Sequence, residues 1–277
     1  MNNLFNSPTE IIEGNIAGGE RKVTLPLAKM IILGIMAGAF IAIGAATSST
    51  AAHAVTNVGL ARLVAGAIFP VGLMLITFIG GELFTGNCLT AMGAYDHRFS
   101  WKMVVKDLVI IWLSNLVGAL IIVLLTYYSG NMDYSSGLLG AYTIKVALGK
   151  ATITPLKGIT SGILCNILVC TAILMGAAAK DISGKIWAIF FPIMAFVVGG
   201  FEHCVANMFY IPAGIIAATN DAYVDKAAEA YGITAADLSN LSVAGFISNQ
   251  IPVTIGNILG GMIFVGLPCY LVHCKNK

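Results

Sequence analysis

The sequence predicts an all-α membrane protein of six transmembrane helices, arranged as two inverted three-helix repeats with the second and fifth helices broken. Three observations predict it. Only 10% of the 277 residues are Asp, Glu, Lys or Arg, and 58% are hydrophobic. A soluble domain carries about 25% charged residues, so this chain, with a mean hydropathy of +0.88, has too little charge to wet a soluble surface. Apolar runs of membrane-crossing length recur along it. Two of those runs share one interruption, a glycine pair followed closely by a glutamate.

The elements follow in order. A helix needs roughly 20 mainly apolar residues to cross the hydrocarbon. Runs free of formal charge fall at positions 30–53, 63–81, 108–132, 158–179, 186–201 with its continuation 204–220, and 238–272. The last is longer than one crossing and reads as entered through a re-entrant or surface stretch. Residues 1–24 form a cytoplasmic N-terminal segment, and residues 25–273 a single membrane domain with half-repeats at about 25–132 and 156–273. Residues 274–277 are a cytoplasmic tail. Within the first segment, Glu10 to Ala17 suits a short surface helix as well as a solvated tail. No basic stretch leads directly into a short apolar core, so no cleavable signal is expected. The acidic, Ala-rich stretch 221–240 reads as a small surface helix.

Basic residues set the orientation, because cytoplasmic loops carry an excess of Lys and Arg. With the N-terminus inside, Arg21, Lys22, Lys29, Arg98, Lys102, Lys106, Lys180, Lys185, Lys275 and Lys277 are internal. Arg62, Lys145, Lys150, Lys157 and Lys226 are external. Both termini therefore read as cytoplasmic, in a bacterial inner membrane.

The two interruptions read GGELFTGN at 80–87 and GGFEHCVAN at 199–207. Each lies in the middle span of a three-span half, and an odd number of spans inverts the second half relative to the first. Gly80, Gly81, Gly199 and Gly200 let the chain turn. Non-helical backbone at membrane depth survives only inside protein or along a cavity, and half-helix N-termini suit an anion. Glu82 and Glu202 are read first as structural, accepting hydrogen bonds from freed backbone N–H groups, with Asn207 completing the second break. His203, ionisable and seated in a break, is read as a pore residue. His53, His97 and His273 read as interfacial. The six cysteines read as buried thiols, without metal-site spacing.

No P-loop lysine, GxSxG or HExxH is present, and no metal or cofactor is expected. The net charge of +2 offers no basic field for nucleic acid. The stretches outside the membrane are too short for an ATPase domain.

Three longer strings, GGELFTGN at 80–87, GFEHCVANMFYIPAGI at 200–215 and NQIPVTIGNILGG at 249–261, make the chain similar to the formate/nitrite transporter family. LVGALIIVLL at 116–125 and GILCNILVC at 162–170 support the likeness. An aquaporin has a similar six-span plan with broken helices, but its paired Asn-Pro-Ala motifs are missing here. The resemblance implies a homopentamer in the lipid bilayer, with one pore per protomer carrying small monovalent anions, formate or nitrite. It puts the family's central histidine on His203, its loop threonine on Thr85 and its glutamate on Glu202. The anion-attracting positions fall on Asn166 and, by spacing sixteen residues before it, on Lys150. The apolar constrictions fall on Phe69, Leu73, Leu83, Phe84, Val169 and Phe196. It further implies that His203 can hand a proton to the anion between the two constrictions. Hydrosulfide, acetate or lactate are alternative permeants, and a neutral-solute channel is a more distant one.

Overall fold

The computed structural model describes residues 5–275; Lys277 in the orientation count and positions 1–4 of the N-terminal segment lie outside them. The chain enters through α1 (Pro8–Val23), where Ser7 and Glu10 form a reciprocal capping box. This helix is longer than the expected surface segment. Of its buried residues, Ile12 and Ile16 belong with Leu89, Met92, Leu174 and Val265 in an apolar cluster.

The first half then runs α2 (Leu27–Ala52), α3 (Val58–Ile68), α4 (Val71–Ile79), the short α5 (Phe84–Asn87), a 3-10 turn (Cys88–Thr90), α6 (Ala91–Tyr95) and α7 (Trp101–Tyr128). The second half runs α8 (Leu138–Ala151), α9 (Pro155–Ala178), α10 (Ile182–Gly199), α11 (Cys204–Ala217), α12 (Asp221–Tyr231), α13 (Ala235–Leu238) and α14 (Val243–Leu259). It closes with a π-helical turn (Gly260–Gly266) and α15 (Leu267–His273). Six stretches among the described residues are long and apolar enough to cross a membrane. α12 and α13 occupy the stretch read as a surface helix.

Two span expectations change. The last span is not re-entrant: Val243–His273 is one helical stretch of 31 residues, loosened by the π turn, and α13 stands ahead of it. The third starts at Trp101 rather than at position 108. Lys102 and Lys106 are exposed on its first turns, so a charge-free window misses residues that are already helical.

The halves pack alike. α2 lies along α7, and α9 lies along α14. Close approach is made by glycines: a Cβ on Gly38 of α2 would strike the Asn115 carbonyl of α7, and one on Gly118 the Ile35 carbonyl. In the second half, a Cβ on Gly256 of α14 would strike the Ile159 carbonyl of α9. In lipid, where burial of apolar area does not drive helix association, such contacts supply the packing. Apolar side chains such as Leu113, Leu125, Phe191 and Ile251 remain exposed on the outside. α1 and α15 pack together, so the described ends of the chain share one face.

Candidate functional site

Both breaks are built by the same device. α4 ends at Gly80 with φ +101°, and α10 ends at Gly200 with φ +70°, left-handed conformations that a side chain resists. The freed backbone groups are then satisfied by two buried asparagines. Asn115 Oδ1 accepts from the Phe84 N–H at 2.9 Å, while its Nδ2 donates to the Gly34 and Glu82 carbonyls at 2.7 and 2.9 Å. Asn257 Oδ1 accepts from the Cys204 N–H at 2.9 Å, and its Nδ2 donates to the Gly162 and Glu202 carbonyls at 2.8 and 3.0 Å. The matching donor and acceptor pattern makes the two breaks copies of one another.

The glutamates are placed differently from the expectation that they hold freed amides. Their carboxylates bind lysines. Glu82 accepts from Lys22 at 2.6 Å, and Lys22 also donates to Asn87 Oδ1 at 2.8 Å. Glu202 accepts from Lys150 at 3.0 Å and from Asn207 Nδ2 at 2.6 Å. The Glu82 N–H goes to the Leu33 carbonyl and the Glu202 N–H to the Ser161 hydroxyl. Lys22, on α1, is thus the counterpart of Lys150, on α8.

The two half-helices start beside each other. His203 caps α11, its Nδ1 accepting from the Ala206 N–H at 3.1 Å. Its Nε2 lies 3.0 Å from Thr85 Oγ1. An Nδ1 that accepts carries no proton, so this geometry is that of the neutral imidazole with its proton on Nε2, donating to Thr85. The Thr85 hydroxyl hydrogen is then available to another acceptor. Thr85, expected in a loop, is the second residue of α5.

Two cavities approach this pair from opposite sides and share no lining residue. One, of about 660 Å³, is lined by His53, Arg62, Lys145, Lys150, Tyr210 and Asn207 and ends at Phe69, Phe196 and His203. The other, of about 470 Å³, is lined by Lys22, Asn87 and Thr90, with α1 along its wall, and ends at Leu73 and Leu83. Phe69 meets Phe196 edge-on at 5.3 Å, and Phe196 stacks on His203 at 5.8 Å. Leu73 is one helical turn from Phe69. Apolar layers therefore flank the polar Thr85–His203 pair, and a charged solute crossing them loses its water.

Residues 9–271 match the family described as formate/nitrite transporter. The chain belongs to this family. A probable formate transporter of Methanothermobacter thermautotrophicus is 38% identical, covering 99% of this chain and all of that protein. The formate channel FocA of Escherichia coli strain K12 is 35% identical over 94% of this chain and 91% of its own. Among solved structures, a pentameric formate channel with formate bound superimposes with a TM-score of 0.78 at 32% identity, over 90% of this chain and 98% of that one.

The structure brings some residues singled out for this family together and separates others. His203, Thr85 and Phe196 form one cluster with Phe69, and Lys150 reaches Glu202 at its edge. Asn166 stands apart from Lys150. It is fully buried, and its Nδ2 donates to the Thr85 and Asn257 carbonyls at 3.2 and 2.6 Å, so it ties the two breaks together instead of facing the vestibule. Phe84 and Val169 are buried but border neither cavity. His53, read as interfacial, lines the larger cavity and bonds Ser135 at 2.8 Å. Four of the six thiols are buried, whereas Cys269 and Cys274 are only partly so.

Sequence reasoning missed Asn115, Asn257, Asp107 and Asn249 and left Lys22 in the N-terminal segment. A usable signal existed for the asparagines, since an amide inside an apolar span needs a partner. Lys22 carried no such signal, because only the docking of α1 brings it to Glu82.

Proposed function

We propose that this chain forms a channel for small monovalent anions, formate first and nitrite with it, and that passage is linked to a proton through His203. The observation that carries this reading is the hydrogen bond of 3.0 Å between His203 and Thr85, placed between two apolar layers. The relatives named as formate transporter and formate channel support formate as the first candidate. The solved pentameric formate channel supports five copies, and the two cavities meeting His203 and Leu83 within one chain support a pore in each copy. Basic residues weighted toward the terminal side support cytoplasmic termini in a bacterial inner membrane.

Arg62, Lys145 and Lys150 raise the anion concentration in the larger vestibule. An anion that passes Phe69 and Phe196 has the Thr85 hydroxyl as its donor, with the His203 Nε2–H behind it on the Thr85 oxygen. His203 takes a proton from the larger vestibule at Nδ1, releasing the Ala206 N–H; its Nε2 proton passes to the Thr85 oxygen, and the Thr85 hydroxyl proton passes to the anion. The ring is left neutral with its proton on Nδ1, and the permeant moves on as the neutral acid, which crosses Leu73 and Leu83 at far lower desolvation cost. The chain is a conduit, with no bond made or broken in the permeant other than to the proton.

The test is a permeant panel in proteoliposomes over about pH 5 to 8, the range in which an imidazole titrates. Formate, nitrite, hydrosulfide, acetate and lactate are compared, with anion uptake and proton movement read together. Formate uptake with matching proton movement is expected. His203→Asn should abolish the proton signal and flatten the pH profile. An unchanged pH profile in that variant removes His203 from the relay, and water flux without anion uptake overturns the anion channel itself.

A further inference from the structure

Behind the two breaks the amide networks match, Asn87 for Asn207 and Asn115 for Asn257, but the next side chain differs. On the vestibule side remote from the termini, Asn207 Nδ2 donates to Asn249 Oδ1 at 2.9 Å, and Asn249 Nδ2 donates onward to the Lys150 carbonyl at 3.0 Å. On the terminal side, Asn87 Nδ2 donates to Asp107 Oδ2 at 2.9 Å. Asp107 stands on α7 eight residues before Asn115, as Asn249 stands on α14 eight residues before Asn257. An ionised carboxylate cannot donate, and Asp107 Oδ1 is buried without a hydrogen-bond partner in the protein. A second carboxylate therefore lies behind Lys22, while a neutral amide lies behind Lys150.

The lysines differ accordingly. An ammonium has three donors. Lys22 uses two of them, on Glu82 and Asn87. Lys150 meets one carboxylate oxygen and stands 5.1 Å over the Tyr210 ring, with Asn207 Oδ1 left unpartnered. Basic neighbours add to the difference, because Arg62 and Lys145 line the Lys150 cavity, while Glu10 sits with Lys22 and Lys185 in the other.

We propose that the exchange of Asp107 for the amide found at Asn249 makes the pore electrically asymmetric. Asp107 is a positioning residue that lowers anion capture at the terminal-side vestibule, so the opposite vestibule captures anions more tightly. This rests on the anion-channel reading above. A carboxylate two side chains from the Lys22 ammonium alters the potential there enough for about a 3- to 10-fold change in half-saturation at an effective dielectric near 20.

The full-length protein is tested in right-side-out and inside-out membrane vesicles with radiolabelled formate, measuring half-saturating concentration from each face. Wild type should half-saturate at higher formate from the terminal face. Asp107→Asn should lower that value about 3- to 10-fold and leave the other face and the maximal rate unchanged. Asn249→Asp should raise half-saturation from the opposite face, and the double exchange should shrink the wild-type sidedness, which Arg62, Lys145 and Glu10 still set in part. The change at Asp107 is isosteric, keeps an oxygen for Asn87 Nδ2 and removes a buried charge, so thermal stability should hold or rise. Equal half-saturation from both faces in wild type, or unaltered sidedness in all three variants, overturns the proposal while leaving the channel in place. Absence of formate flux from either face in wild type instead removes the reading on which it rests.

Discussion

Replacing Asn257 with leucine tests whether the buried amides hold the broken helices. The side chain is fully buried and makes three hydrogen bonds, with the Cys204 N–H and the Gly162 and Glu202 carbonyls. Leucine keeps the branching and the heavy-atom count, with two methyl groups in place of the amide O and NH2, but all three backbone groups lose their partner. Interhelical hydrogen bonds in membrane proteins are worth about 0.6 kcal/mol each on average, which sets a floor near 2 kcal/mol. Stranded buried polar groups cost about 1–3 kcal/mol apiece, and partial relaxation of the loop brings the expected loss to about 2–5 kcal/mol. The assay is equilibrium unfolding in mixed micelles titrated with denaturing detergent, followed by helical signal. Asn115→Leu should cost a similar amount, since it breaks the same three kinds of bond in the other half. Losses under about 1 kcal/mol in both variants, or a large loss in only one, would refute the reasoning that the breaks are equivalent and amide-held.

Two further outcomes are expected. Thr85→Val keeps the shape but removes the partner of His203 Nε2. It should cut formate flux about threefold to tenfold, in line with a single lost hydrogen bond, with assembly intact on size exclusion; full flux would exclude the hydroxyl from the path. At the chain start, the Ser7 N–H, and then its hydroxyl, hold the exposed Glu10 carboxyl below its ordinary pKa. A lowered folded value stabilises above the usual carboxylate range, and that contribution disappears as pH falls through the folded value. The seating of α1 should therefore loosen in acid, read as faster hydrogen exchange along Pro8–Val23, and Glu10→Gln should weaken this dependence. An unchanged acid response in that variant would count against the cap.

The sequence by itself determined the membrane class, the six spans and the two matched breaks. Those features are one-dimensional: a scarcity of charge, apolar runs of bilayer length, and glycine pairs ahead of Glu82 and Glu202. The likeness of the break strings to the family also pointed to His203 and Thr85, which the structure pairs at 3.0 Å. What each polar side chain bonds was not legible in this way. The glutamates looked like acceptors for loose amides, but that task falls to Asn115 and Asn257, which approach from α7 and α14. Asp107 escaped notice because it follows Lys106, and a charge-free window discards both even though α7 has already begun. Lys22 looked like a tail residue until α1 folded back onto the terminal cavity. The physical reason is common to these cases. A buried polar group takes whatever partner the tertiary fold brings within about 3 Å, and helices distant in sequence supply those partners. Hydropathy located the spans and the breaks; only packing decided that Lys22 meets Glu82 with Asp107 behind Asn87, and that Lys150 meets Glu202 with Asn249 behind Asn207.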